Sequence, residues 1–175
     1  MAFRSIPPLL LAFVFFGCSA TLGCDPATPR VSDVAVHVGG VGFDPLTETP
    51  VVVLEESEGK RTLPIWIGIN EARSIATQME SIEPPRPNTH DLAKRLLNGL
   101  DARVTRVVVT ELRSGTYFAI LVLQSEGKRI EIDARPSDAI AIALRTQAPV
   151  FVREALFEAS RDAPEESEAE EKLEL

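Results

Sequence analysis

Six segments of the chain have the apolar patterns of β-strands. In the first, Val34, Val36 and Val38 alternate with more polar neighbours, as in a strand that buries one face. Pro64 indicates an edge position or a bulge for the third segment, and the fifth is apolar on both faces, as in an interior strand. The predicted strands are residues 34–38, 51–54, 63–67, 104–112, 117–123 and 130–132.

Four further segments place apolar residues at helical spacing, namely residues 69–82, 92–100, 139–144 and 152–156. We expect Trp66 and Met79 to be core residues. Short connections between successive strands favour hairpins, so the sequence predicts an α+β fold with helices packed on a largely antiparallel sheet.

An internal repeat accompanies this pattern. The sequence SEGKR occurs at residues 57–61 and again at residues 125–129, each time after an apolar strand and before a strand and a helix. Such self-similarity indicates a duplicated unit. We therefore predict one domain over residues 31–161, built from two β-β-β-α-α repeats at about 31–100 and 101–161.

The N-terminal residues have the order of an export signal: Arg4, a short apolar run and then small residues. The sequence before Cys24 resembles the lipobox of bacterial lipoproteins, which predicts a signal peptide over residues 1–23, lipidation of Cys24, a tether over 24–30 and a cell-envelope location anchored in a membrane by lipid. Asp25 resembles the signal for retention at the inner membrane. The alternatives are lipidation of Cys18 and an N-terminal membrane helix.

Charge is distributed unevenly along the chain. Of the formal net charge of −8, residues 162–175 contribute −6, because seven acidic residues stand there against one lysine. We expect this acidic tail to be disordered. The remaining −2 gives the domain no strong field, and basic neighbours occur only as the pairs Lys60-Arg61, Lys94-Arg95 and Lys128-Arg129. Charge therefore does not favour nonspecific binding to nucleic acid.

Candidate chemistry concentrates in two polar segments that open predicted helices, residues 86–91 and 133–138. The start of a helix has free N–H groups and partial positive charge, so it attracts phosphate. Arg86, Arg135 and Ser137 are the predicted phosphate ligands. The predicted catalytic residues are Glu71, His90, Asp91, Asp133 and Asp138.

We expect these carboxylates to bind a divalent cation, Mg²⁺ or Mn²⁺, because such ions take oxygen ligands and activate water. Asp133 and Asp138 are the predicted metal ligands. A structural interpretation explains the same residues. Asn88 or Thr89 is a good helix cap, Pro136 is a normal first helical residue, and acidic residues stabilise helix starts.

Three separated motifs resemble those of the bifunctional nuclease domain family. They are Ile67-Gly68 with Glu71-Ala72, Arg86-Pro87 with residues 89–92, and residues 133–139 with Ala143-Leu-Arg145. The resemblance covers about residues 31–158 and implies an α+β fold with a repeated unit and activity on both DNA and RNA.

Two functions are consistent with the sequence. The first is metal-dependent hydrolysis of DNA or RNA by an envelope-anchored nuclease-like domain. The second is a noncatalytic envelope module that forms homo-oligomers or binds a partner, with the polar motifs serving as caps and loop clamps.

Overall fold

The computed structural model describes residues 32–161, which form seven strands and four helices. Their order is β1 (Asp33–Phe43), β2 (Pro50–Glu56), β3 (Thr62–Trp66), α1 (Ile69–Met79), α2 (Thr89–Gly99), β4 (Arg103–Arg113), β5 (Thr116–Ser125), β6 (Lys128–Ala134), α3 (Pro136–Thr146), β7 (Val150–Arg153) and α4 (Glu154–Arg161). The predicted signal peptide, Cys24, the tether and the acidic tail lie outside the described residues.

All seven strands form one sheet in the order β3-β2-β1-β7-β4-β5-β6. Every neighbouring pair is antiparallel except β4 and β7, which run parallel. The α+β prediction is therefore confirmed. Strand β3, with Pro64, is an edge strand, and β5 is paired on both sides, as the sequence predicted.

A three-stranded meander lies on each side of β7: β1, β2 and β3 on one side and β4, β5 and β6 on the other. Strand β1 is antiparallel to β7 and β4 is parallel to it, so the two meanders start in opposite directions. An approximate twofold between the halves would require this arrangement, but the duplication itself stays a prediction. Both SEGKR copies lie in hairpins, the first joining β2 to β3 and the second joining β5 to β6.

The core lies between the sheet and the helices α1 and α3. Leu54 and Leu63 of the sheet and Ile75 and Ile140 of the two helices are fully buried. Helix α3 is apolar almost all round because it contacts β4, β5, α1 and α2 together. Helix α2 rests on α3, and His90 is its only buried residue.

The structure differs from the sequence predictions in its second half, where the unpredicted strand β7 separates α3 from α4 and breaks the predicted β-β-β-α-α order, and at two residues expected in the core. Val152, expected in the last helix, lies in β7, where it pairs with Val34 of β1 and Val109 of β4. Trp66 and Met79, expected in the core, are 52% and 39% exposed. Because strand side chains alternate between faces, Leu63 and Ile65 occupy the core and Trp66 faces away from it.

Candidate functional site

The first turns of three helices supply the polar side chains of one cavity. Glu71 lies in the first turn of α1, His90 in that of α2 and Asp138 in that of α3. These three residues and Arg135 line a cavity of about 840 Å³, here called the acidic cavity. The fold therefore brings together four residues that are up to 67 positions apart in the sequence.

Arg135 joins the two carboxylates of the acidic cavity. Its Nη2 donates to Glu71 Oε1 at 2.7 Å, and its Nε donates to Asp138 Oδ2 at 2.7 Å. The Arg135 side chain is 65% exposed. Exposed ion pairs of this kind contribute little to stability, so the guanidinium can exchange these carboxylates for a ligand at small cost.

Both carboxylates are held ionised. The pKa of Glu71 is lowered by its own backbone N–H and by the hydrogen bond from Arg135. Burial raises the pKa of Asp138, but hydrogen bonds from Arg135 and His90 outweigh that effect, so the net shift is downward. With Arg135 between two ionised carboxylates, these three residues carry a net charge of −1.

His90 is buried and linked at both ring nitrogens. Its Nδ1 lies 2.9 Å from Ser74 Oγ, and its Nε2 lies 3.1 Å from Asp138 Oδ1. Ser74 Oγ already accepts from Asn88 Nδ2 at 3.2 Å and from Arg145 Nη2 at 3.0 Å. A hydroxyl has two acceptor lone pairs, so the Ser74 hydrogen points to Nδ1 and the neutral ring has its hydrogen on Nε2. The Nε2–H therefore donates to Asp138.

Asp91 faces a different part of the molecule. It forms a capping box with Asn88 and accepts from Arg145 Nε at 2.6 Å. Burial raises the pKa of Asp91, but the hydrogen bonds from Arg145 and from the Asn88 backbone outweigh it and lower the pKa. Asp91 does not line the acidic cavity, so its contacts fit the structural interpretation of a cap and a clamp between α2 and α3.

Three other predicted site residues also lie outside the acidic cavity lining. Asp133 is exposed on the edge strand β6, and Arg86 is exposed in the segment before α2. Ser137 is buried and lines a second cavity of about 350 Å³, together with Trp66, Tyr117 and Arg135. We call this second cavity the aromatic cavity.

The donor set does not form a ready-made metal centre. No group of three or more His, Cys, Asp and Glu side chains among residues 32–161 is arranged to hold a metal ion. Asp133 and Asp138, the expected ligand pair, do not share a cavity lining, and Arg135 engages the carboxylates of both Glu71 and Asp138. As arranged here, the cluster is organised around a guanidinium.

Two buried residues of this network received no role from the sequence. Ser74 is 6% exposed and Arg145 is 4% exposed, and together they connect Asp91 to His90. Their signal is a polar residue at a core position of a helix: Ser74 precedes the core residue Ile75, and Arg145 follows an apolar run of α3. Such residues are buried only when their hydrogen bonds are satisfied.

Comparisons with known proteins agree with this architecture. The profile of the bifunctional nuclease domain matches residues 52–164. An uncharacterized protein of Mycobacterium tuberculosis is 42% identical over 136 residues, which cover 77% of this chain and 81% of that protein. Bifunctional nuclease 1 of Arabidopsis thaliana is 32% identical over 111 residues, 61% of this chain but 34% of the plant protein. Bifunctional nuclease 1 of Oryza sativa subsp. indica is 30% identical over 105 residues, 58% of this chain and 32% of that protein. The chain belongs to the bifunctional nuclease domain family.

Proposed function

We propose that the domain hydrolyses phosphodiester bonds of nucleic acid at the acidic cavity. The observation that supports this proposal best is the convergence of Glu71, His90, Asp138 and Arg135 from three helix starts. The names of the plant relatives, Bifunctional nuclease 1 and 2, make nucleic acid the substrate class to test first. These four residues combine a proton acceptor, a hydrogen-bond donor and a phosphate ligand within one cavity.

Arg135 is the proposed phosphate ligand. Its guanidinium is planar and presents paired N–H groups, which match two oxygens of a phosphate. Because its side chain is 65% exposed, it reaches solvent from its position between the carboxylates. When Arg135 turns to a phosphate, Asp138 loses its hydrogen bonds from Arg135 and keeps the one from His90 Nε2.

Asp138 and His90 divide the proton chemistry. The released Asp138 carboxylate accepts a proton from the water that attacks the phosphorus atom. The P–O bond to the leaving sugar oxygen breaks, and that oxygen takes up a proton from solvent. His90 presents Nε2–H to the cavity, because Ser74, Asn88 and Arg145 hold the other tautomer at a disadvantage. It therefore serves as the donor that orients Asp138, while Arg135 stabilises the charge on the phosphoryl oxygens.

The requirement for Mg²⁺ or Mn²⁺ stays a proposal. It is supported by the ionised pair of Glu71 and Asp138 and opposed by the hydrogen bonds that Arg135 makes to both. Activity measured with EDTA and then with added Mg²⁺ or Mn²⁺ decides it. Full activity in EDTA would reject the requirement.

Asp138→Asn tests the site. The amide keeps the size of the side chain but is not a proton acceptor, so we expect cleavage of single-stranded DNA or RNA to fall at least about a hundredfold. Asp133→Asn is the matched control, because Asp133 is exposed and outside the acidic cavity. If only Asp133→Asn loses cleavage, the proposed site is wrong, and Asp133 acts as the metal ligand that the sequence predicted.

A noncatalytic binding module is the second candidate, and helix α2 favours it. Leu92, Leu96 and Leu100 follow one another at intervals of four residues and are 51%, 57% and 71% exposed. An exposed apolar stripe of this kind is typical of a surface that another protein covers. A purified full-length chain that forms homo-oligomers or binds a protein partner but never cleaves oligonucleotides, with or without Mg²⁺ or Mn²⁺, would favour this candidate.

We also propose that the domain is anchored in the bacterial envelope through Cys24. The proposal is supported by the order of residues around the apolar N-terminal run. Mass spectrometry of the protein from its membrane fraction should find an acylated N-terminal Cys24, and Cys24→Ala should abolish the acylation. An intact N-terminus at Met1 would contradict the proposal.

A further inference from the structure

The aromatic cavity adjoins the acidic cavity at Arg135. It measures about 350 Å³, within the range of ligand pockets, and Arg135 lines both cavities. Its walls come from the end of β3, the start of β5 and the start of α3. A ligand that contacts Arg135 therefore has an aromatic wall on one side and the Glu71, His90 and Asp138 cluster on the other.

Trp66 is an exposed aromatic side chain in a fixed position. It is 52% exposed, and its Nε1 donates to Asp44 Oδ2 at 2.9 Å. Exposure of a tryptophan to this extent leaves a large apolar face in contact with water, which packing in the core would have removed. Tyr117 is half-buried in the same cavity. An aromatic ring held in position in a cavity can stack against a flat ligand.

The start of α3 adds unsatisfied hydrogen-bonding groups to the aromatic cavity. No side chain caps this helix, so its first N–H groups lack a side-chain acceptor. Ser137 is 6% exposed and lines the cavity, and its side chain forms no hydrogen bond within residues 32–161. Its Oγ is not among the atoms fully shut off from solvent, so the hydroxyl is accessible and can hydrogen-bond to a ligand in the cavity. With Arg135 beside it, that ligand is an anion with several oxygens.

We propose that the aromatic cavity is a base-binding subsite for single-stranded nucleic acid. One nucleobase stacks on Trp66, and its phosphate lies between Arg135 and the start of α3, so that the adjacent phosphodiester reaches the acidic cavity. A base inside a duplex is already stacked and paired, so only an unpaired base has both faces free for this cavity. This inference rests on the proposed nuclease function and assigns its substrate class.

Trp66 is the only tryptophan of the chain, so its fluorescence reports on this cavity alone. The full chain is titrated with a thymidine tetranucleotide linked by phosphorothioates, which resists hydrolysis. We expect saturable quenching of Trp66. An abasic tetranucleotide of the same charge, inorganic phosphate and a blunt duplex of the same sequence should each quench it less than a tenth as much, because none offers a free base. Equal quenching by the abasic strand would overturn base stacking.

Three variants separate the aromatic face from the fold, with binding measured by the anisotropy of a labelled tetranucleotide. Trp66→Phe and Trp66→Leu both remove the hydrogen bond to Asp44, but only the leucine lacks a π-face. We expect about tenfold weaker binding for Trp66→Leu and less than about threefold for Trp66→Phe. Phe43 is an exposed aromatic residue outside the cavity, so Phe43→Leu should bind the tetranucleotide with the affinity of the parent.

These measurements separate failure of the subsite from failure of the nuclease proposal. If the oligonucleotide quenches Trp66 but is not cleaved under any condition, the base subsite is supported and the hydrolysis proposal is rejected. If the protein cleaves single-stranded substrate but Trp66 is not quenched, the subsite is rejected and the hydrolysis proposal is retained. The same conclusion follows if it cleaves this substrate and Trp66→Leu and Trp66→Phe bind with equal affinity. Equal cleavage of duplex and single-stranded DNA would also overturn the assigned substrate class.

Discussion

At the scale of single residues, the hydrogen bonds that Ser74 already accepts determine the tautomer of His90. Ser74 Oγ has two donors, Asn88 and Arg145, and so gives its own hydrogen to His90. That choice fixes the ring atom that His90 presents to Asp138. A residue 48 positions from Asp138 in sequence thus acquires its chemical role from the hydrogen bonds of its neighbours Ser74, Asn88 and Arg145.

The tautomer of His90 is directly measurable. The chain has two histidines, so His37→Gln leaves a single imidazole for ¹⁵N long-range correlation spectra. In the neutral ring we expect the hydrogen on Nε2 and none on Nδ1. Asn88→Asp keeps a good helix cap but replaces the donor to Ser74 by an acceptor, so the fraction with hydrogen on Nδ1 should rise.

Asn98→Asp, a change of the same kind at the far end of α2, is the control and should leave the spectrum unchanged. A parent spectrum with hydrogen on Nδ1 would contradict the hydrogen-bond network described here. It would also reverse the roles proposed for His90 and Asp138.

The sequence predicted part of the acidic cavity lining for a clear reason. Glu71, His90, Asp138 and Arg135 were candidates because each stands at the start of a predicted helix, and those helix starts converge. Asp133 was included because it lies close to Asp138 along the chain. Residues of an edge strand alternate between faces, so closeness in sequence did not bring Asp133 into the cavity lining.

At the scale of elements, the three helix starts differ in how they are capped. Helix α2 has a complete capping box formed by Asn88 and Asp91. Helices α1 and α3 have no side-chain cap. The capping box satisfies the N–H groups of Asn88 and Asp91 at the start of α2, whereas no such side-chain bond forms at the start of α3 within the described residues. The cap interpretation of the sequence therefore holds for Asp91, and the ligand interpretation fits the start of α3.

The repeated sequence also shows the limit of a local pattern. Both SEGKR segments lie in hairpins, but the second forms a tight turn in which Glu126 and Gly127 have φ angles of 49° and 74°. In the first copy, Arg61 instead pairs with Glu56 and with Glu154 of α4. Equal sequences predicted equal elements, but the two loops differ in backbone conformation and in the partners of their arginines.

At the scale of the whole molecule, two arginines tie the helices to one another. Arg135 links α1 to α3 through Glu71, and Arg145 links α2 to α3 through Asp91. The Arg145 side chain is 2% exposed, so its pair is shielded from solvent far better than that of Arg135. Removing one partner of a buried pair is costly, so we place the stability of this helix layer chiefly on Arg145 and Asp91.

The same pairs predict how stability depends on pH. The pKa values of Glu71, Asp91 and Asp138 lie below their ordinary values of 4.5 for glutamate and 3.8 for aspartate. Near these ordinary values the unfolded chain starts to take up protons that the folded chain does not yet bind. The free energy of unfolding should therefore be constant above about pH 5 and fall steadily as the pH drops below the ordinary values.

Urea unfolding at pH 7, 5, 4 and 3 measures this dependence, and Asp91→Asn isolates the buried pair. The variant should lose about 2 kcal/mol at pH 7, because Arg145 then lacks its charged partner, and its stability should fall less between pH 5 and 3 than that of the parent. Asp133 forms no ion pair among the described residues, so Asp133→Asn should follow the parent curve. Parallel curves for the parent and Asp91→Asn would show that the Asp91 pair is already formed in the unfolded chain or absent from the folded one.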